Sequence, residues 1–570
     1  MVQDADAYLR ASAPFRLGAL PTERSHPLTR GLGEASARDA VRMIQAVDAT
    51  LPDALARAMA TPAYAALVAA LRAAFCNGGR VFCVGCGATG RLAILLEAAW
   101  RRGCADDPAA AHLHDRVWSV MAGGDFALIR SVEGFEDFTA FGRHQLLQAG
   151  PPGAPGPRSG DVVLAVTEGG ETPFVLGAAE AGADAGAHVT LVFNNPVAVL
   201  RETVQRSRRL IDDPRVDVLD LSAGPMAVAG STRMQATSSE LLAVGGALEQ
   251  ALSLALGRLD ISDLAADTRR RLHRFTETLA TISTPNAVDA LAAAADAEAA
   301  LYRRGLPVTY AADMLLLDVL TDTTERSPTF SLPPFRPDGD TSTPPPWAFV
   351  QRPGGTAAEA WTALLARPVR GLDWGADDYR RMGAPAMPAV DPPALDRAAV
   401  HRFGIGGPPA ADRLHGAGVA VGCADDDADA LARFTRGFAH RGRIALVPTG
   451  TPLMPADGFA CDIAIDLHPS PLRLHRHLSI KLVLNTLSTV TMARMGRLSG
   501  NWMVHVRCSN MKLIDRGVRL LQDRLGLDYE AAARVLFHSI EVLRADPALA
   551  ASTSPVAHAL AEAARGRRGG

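Results

Sequence analysis

The stretch "FCVGCGATGRLAILLEAAW", residues 82–100, runs a short apolar strand into a glycine turn and out into an apolar helix. Gly85, Gly87 and Gly90 have the G-x-G-x-x-G spacing of a dinucleotide loop. Glycines after a strand let the backbone approach a phosphate, and the helix that follows offers free N–H groups and a positive dipole end. That physics serves any phosphate. A dinucleotide site also needs an acidic residue about 20 residues further on, at the end of the next strand, to bind ribose. Here the next strand, "RVWSVMAGGDF", ends in Gly-Gly, and Asp125 comes about 35 residues after Gly90. The loop therefore reads as a phosphate site of another kind.

At 570 residues the chain is too long for one ordinary domain. Hydrophobic residues at 48% and charged residues at 21% describe a globular protein with an ample core, and a net charge of −3 gives no basic footprint for nucleic acid. No basic-then-apolar leader and no apolar run of membrane-spanning length is seen, so no membrane partner is expected. Seven cysteines in no regular framework suit a reducing cytoplasm. Cys83 and Cys86 form a C-x-x-C whose first member lies inside the strand, which fits small packing residues better than a redox or metal site. No cofactor and no metal are expected. Only two of the 58 cationic residues, Lys481 and Lys512, are lysines, so a lysine carries more information here than an arginine.

Short Val-rich strands alternate with helices through "RVWSVMAGG", "DVVLAVTEGGETPFVLGAAEAG" and "AHVTLVFNNP", which means a parallel sheet covered on both faces. Ligands bind such sheets at the carboxyl ends of the strands. Residues 258–300 read as helical, and a second α/β unit begins near "LPVTYAADMLLLDVL". Two long apolar helices, "SSELLAVGGALEQALSLALGRL" and "HLSIKLVLNTLSTVTMARMGRL", both end in Gly-Arg-Leu, a weak internal repeat that supports two related halves. The expected divisions are an N-terminal segment 1–44, a first α/β domain 45–265, a more divergent second one 266–505, and a helical cap 506–570.

Two further loops share the character of the first: "TEGGETPF", residues 167–174, and "GPMAVAGSTRMQ", residues 224–235. Each sets small and hydroxyl residues at a helix start, and three such loops can surround one compact phosphate. With "GCGATGRL", "AGGDFALIRSVEGFED", "FNNP" and the distant "KLVLNTLSTVTMARMGRLSGNWMVHV", they resemble a sugar isomerase (SIS) domain. The resemblance spans roughly residues 80–515, in the branch that contains N-acetylmuramic acid 6-phosphate etherase and glucokinase regulatory protein. It implies an α/β fold of two tandem SIS units, flavodoxin-like parallel sheets, with a small helical C-terminal domain. The two-unit plan with a helical cap is that of the regulatory protein; the etherases resemble one SIS unit acting as a homodimer.

The resemblance also implies chemistry. The etherase mechanism abstracts the C2 proton of an opened phosphosugar, expels D-lactate from C3 and adds water, which needs a carboxylate base and a carboxylic acid. Glu136 in "SVEGFED" matches the family's base. The first half has Ala99 where the acid belongs, and Glu325 in "TTERSPTF" supplies it from the second half. One composite site is expected, its phosphosugar held by Thr89, Arg91, Gly169, Thr172, Ser231, Thr232, Lys481 and Asn485. Each residue also has a plain structural reading: Glu136 as a helix-start residue, Glu325 as a surface residue, Lys481 as an exposed helix residue. Several positions depart from the pattern. Gly169 stands where a serine is common, Gln235 where a lysine is usual, and Glu168 and Glu171 add charge that would repel a phosphate. The expected function is a carbon–oxygen lyase of the etherase type. Its alternatives are a non-catalytic sugar-phosphate sensor controlling a sugar kinase partner, and a sugar-phosphate isomerase.

Overall fold

A computed structural model of the protein describes residues 4–13, 16–384, 394–450, 458–506, 508 and 511–568. Among these residues two five-stranded sheets form, every pairing in them parallel. The first contains β1 (Val81–Gly85), β2 (Val117–Met121), β3 (Val162–Val166), β4 (His188–Phe193) and β5 (Val216–Asp220), in the order β2-β1-β3-β4-β5. The second contains β6 (Val308–Ala311), β7 (Ala348–Gln351), β8 (Ala417–Cys423), β9 (His440–Val447) and β10 (Phe459–Ala464), and read from its β7 edge its order is β7-β6-β8-β9-β10. The two orders are the same, 2-1-3-4-5, which is the flavodoxin-like doubly wound arrangement with its switch point between the first and third strands. Strands β1 and β3 are buried along their whole length, as near-continuous apolar runs require when both faces are covered.

Six helices position the site: α1 (Gly87–Asp106), α2 (Pro173–Asp184), α3 (Gln235–Ala255), α4 (Leu316–Phe330), α5 (Leu474–Arg494) and α6 (Met511–Leu525). Helix α1 packs on β1 and β2 of the first sheet and on α4 of the second half. Residues 88–101 are all buried, and a helix enclosed by two layers is apolar nearly all round, as "RLAILLEAAW" is. Helices α3 and α5 pack against each other across the two halves.

The Gly-Arg-Leu repeat is a repeated helix stop. Gly257 and Gly496 both take a left-handed φ, 67° and 70°. The next N–H in each case reaches back five residues, Arg258 to the Ser253 carbonyl at 2.8 Å and Arg497 to that of Met492 at 2.9 Å. This is one C-terminal capping motif used twice.

Candidate active site

A cavity of about 200 Å³ opens at the carboxyl ends of β1 and β3, the switch point of the first sheet. The three loops read from the sequence meet there. The first contributes Cys86, Gly87 and Ala88 at the start of α1, the second Glu168, Gly169 and Thr172 before α2, and the third Ser231, Thr232 and Arg233 before α3. The turn into α1 is tight. A Cβ on Gly85 would lie 2.5–2.6 Å from backbone atoms of Thr89 and Gly90, so glycine here serves the strand-to-helix approach.

Glu136 and Glu325, nearly two hundred positions apart and from opposite halves, both line this cavity. Arg91 joins the halves beside them. Its side chain is completely buried; Nη1 donates to Glu325 Oε1, and Nη2 donates to the Ala127 carbonyl at 2.6 Å and to Ser131 Oγ at 3.3 Å. Arg233 makes a second bridge, donating to Asp322 of α4 at 3.0 Å and to Thr489 of α5 at 2.9 Å. Burial alone would raise the Asp322 carboxyl, but Arg326 and Arg233 hold it below the usual aspartate value.

The two acidic residues of the second loop have different roles. Glu171 turns away from the cavity and accepts from Lys512 at 2.7 Å and from Arg206. Burial would raise its carboxyl; Lys512 and Arg206 outweigh that and bring it down to about 2. The repulsion expected from Glu171 is thus neutralised by a cation that sequence reasoning did not place in the site. Lys512, in the first turn of α6, lines the cavity, and so does Arg516, which is paired with Glu23 at 2.8 Å. The signal for Lys512 was its rarity, as one of two lysines in the chain. Glu168 does face the cavity, where burial, with Glu325 adding to it, pushes its carboxyl up to about 7.

Of the expected sugar contacts, Arg91, Gly169, Thr172, Ser231 and Thr232 are brought together at the cavity. Three are placed elsewhere. The Thr89 hydroxyl is buried and engaged with its own turn, donating to the Cys86 carbonyl at 2.8 Å and accepting from the Cys86 N–H at 3.1 Å. Lys481 and Asn485 lie behind the third loop, along a narrow cleft of about 40 Å³ between α1, α3, α4 and α5. Lys481 Nζ is directed to the carbonyls of Arg233 and Met234, both at 3.0 Å, and to Ser238 Oγ and Asn485 Oδ1, both at 2.8 Å. It braces the loop from beneath, and burial brings its ammonium down to about 7. Asn485 in turn donates to Asp322 at 3.1 Å. Asp125, unsuited by spacing to bind ribose, is buried and paired with Arg367 through two contacts of 2.7 and 2.8 Å. Cys83 and Cys86 are buried with their thiols pushed up by desolvation, and no cluster of metal-ligating residues occurs among the described residues.

The equivalent place in the second half is closed. Ala99 replaces Glu325, Met314 replaces Ala88, and Pro471 and Leu472 replace Thr232 and Arg233. They surround a space of only about 10 Å³. The loop after β8, counterpart of the loop after β3, carries Asp426 back to the end of β6 and the start of α4. Its carboxylate accepts from the N–H of Met314 at 2.9 Å and of Cys423 at 2.7 Å. These two N–H groups are thus satisfied by the chain itself.

Two doubly wound units, with three loops of the first and a glutamate of the second lining one cavity at the first sheet's switch point, have the architecture of the SIS class. The sequence model of the glucokinase regulatory protein N-terminal SIS domain matches residues 64–182. The N-acetylmuramic acid 6-phosphate etherase of Thermosynechococcus vestitus is 32% identical over 289 residues, covering 50% of this chain and 84% of that protein. The etherase of Thermobifida fusca is 32% identical over 246 residues, 43% of this chain and 72% of that protein. That of Salinibacter ruber is 31% identical over 308 residues, 54% and 89%. The chain belongs to the N-acetylmuramic acid 6-phosphate etherase family.

Proposed function

We propose that the protein is a carbon–oxygen lyase that cleaves the lactyl ether of N-acetylmuramic acid 6-phosphate, releasing D-lactate and N-acetylglucosamine 6-phosphate, a step in the recycling of peptidoglycan sugars. The observation that carries this reading is the meeting of Glu136 and Glu325 in one cavity that also holds the phosphate loops. The start of α1 and the Gly169, Thr172, Ser231 and Thr232 positions hold the phosphate. Glu136 takes the C2 proton of the opened sugar, and Glu325 protonates the departing lactyl oxygen. The acid role requires Arg91 to pass from Glu325 to the lactyl carboxylate of the sugar, so that the Glu325 carboxyl carries the proton. In the hydration step the roles reverse: Glu325 takes a proton from water and Glu136 returns one to C2.

A second reading, a phosphosugar-responsive regulator with a sugar kinase as its partner, draws on the match of residues 64–182 to the regulatory-protein domain, and the etherase relatives do not favour it. Incubation with N-acetylmuramic acid 6-phosphate and enzymatic assay of D-lactate separates the two. Lactate release that is lost in Glu136→Gln and Glu325→Gln, with sugar binding retained, supports the lyase; sugar binding without lactate supports the regulator.

A further inference from the structure

Glu168 is the one acidic residue of the second loop that is directed into the phosphate cradle. It precedes Gly169, its carbonyl is fixed by the Asn194 N–H at 2.9 Å, and its carboxyl interacts with the Thr232 hydroxyl of the third loop. Two cations that line the same cavity are committed elsewhere. Lys512 is held by Glu171 at 2.7 Å, and Arg91 by Glu325. A dianionic phosphate and an ionised Glu168 in the same cradle would repel each other strongly in a partly desolvated space. A protonated Glu168 would instead offer its O–H to a phosphate oxygen.

We propose that Glu168 is a specificity-determining residue of the phosphosugar site: the cavity takes up a phosphate dianion together with one proton, which Glu168 holds and donates to a phosphate oxygen. This rests on the phosphosugar reading above and is independent of whether the lyase reaction occurs. The carboxyl sits near 7 before ligand arrives, so the proton is available at neutral pH and is lost above it. The other groups facing it are poor sources of the same effect. From α1, the Cys86 thiol is pushed well up by burial and stays neutral. From α3, the buried Glu240 carboxyl is raised well above its ordinary value by burial and accepts from Asn194 at 2.7 Å, and it is unchanged by substitution of Glu168. From α6, Lys512 is raised by Glu171, Glu136 and Glu23 against its burial and stays charged. From α4, Glu325 is bound to Arg91, and N-acetylglucosamine 6-phosphate lacks the lactyl carboxylate that would draw Arg91 away. Lys481, beneath the third loop, titrates in the same range, and substitution of Glu168 separates the two.

The test is calorimetric titration of the full chain with N-acetylglucosamine 6-phosphate in buffers of different ionisation enthalpy, from pH 7.5 to 9. Over that range the ligand phosphate is a constant dianion, its second pKa being about 6. The expected result is uptake of roughly three-quarters of a proton per sugar at pH 7.5, and an affinity that falls toward tenfold per pH unit above it. Glu168→Gln and Glu168→Ala should bind with no proton uptake and with a flat pH profile. Glu168→Gln should exceed the wild type at pH 8.5 by about tenfold or more. Thermal melts of both variants confirm that they are folded. Proton-independent binding by the wild type, or the same pH slope in the variants, would overturn the proposal. Binding of no sugar phosphate by any of the three proteins down to pH 6 would instead defeat the phosphosugar reading, and this inference with it.

Discussion

Substitution of Arg91 by Met probes the bond that joins the two halves at the site. The Arg91 side chain is 0% exposed and its Glu325 partner 10%, so the pair lies in a region where water screens little. Removing the guanidinium leaves the Glu325 carboxylate and the Ala127 carbonyl without their donor. Breaking a buried ion pair from one side costs about 3–5 kcal/mol, whereas replacing both partners with neutral groups is often close to neutral. Arg91→Met and Glu325→Gln should therefore each destabilise by about 3–5 kcal/mol, and the double variant by much less than their sum, with a coupling of about 2 kcal/mol or more. If the chain unfolds as one unit its unfolding entropy is about 1.2 kcal/mol/K, so a single variant should lower the Tm by about 3 °C. The assay is a double-mutant cycle by urea and thermal denaturation. Additivity of the two substitutions within about 0.5 kcal/mol would refute the claim that this cross-half pair is an energetic unit.

Glu171, buried and brought down to about 2 from an ordinary 4.5, stabilises the fold fully above pH 4.5, and that contribution is lost as pH falls toward 2. Glu171→Gln should remove up to about 3 kcal/mol at pH 7 and flatten the acid limb of a stability-versus-pH curve measured by denaturation. Gly85→Ala places a Cβ within 2.6 Å of the Thr89 and Gly90 backbone, which should cost about 1–3 kcal/mol and weaken phosphosugar binding more than tenfold, as read by melting and calorimetry. Because Asp426 and Met314 close the second half's counterpart, calorimetry should find one phosphosugar per chain; two equivalent sites would contradict the asymmetry.

The architecture was legible because it rests on short-range patterns. Strand runs bounded by glycine turns, and a Gly-Arg-Leu stop used twice, are local features whose geometry each segment specifies for itself. The pairing of Glu136 with Glu325 could be anticipated because a two-fold related pair of units exchanges residues at its axis. Side-chain direction across the halves was not legible. Glu168 and Glu171 are three residues apart in one loop, yet one faces the cavity and the other faces Lys512, a residue 341 positions further along the chain. Lys481 and Lys512 were equally conspicuous by rarity. Which of them reaches the cavity depends on how α5 and α6 pack, and the sequence spacing around either lysine does not encode that. Asp426, which accepts from the Met314 and Cys423 N–H groups of the second half, carries no motif at all.

The lyase reading requires carboxylates from both units to work on one phosphosugar. Its most direct test is D-lactate release from N-acetylmuramic acid 6-phosphate by the wild type, Glu136→Gln and Glu325→Gln proteins at equal concentration, with sugar binding measured alongside. One lactate per sugar consumed is expected of the wild type, and at least a hundredfold loss of each variant, with binding kept. Wild-type rates in either variant, or tight binding by the wild type without lactate, would contradict it.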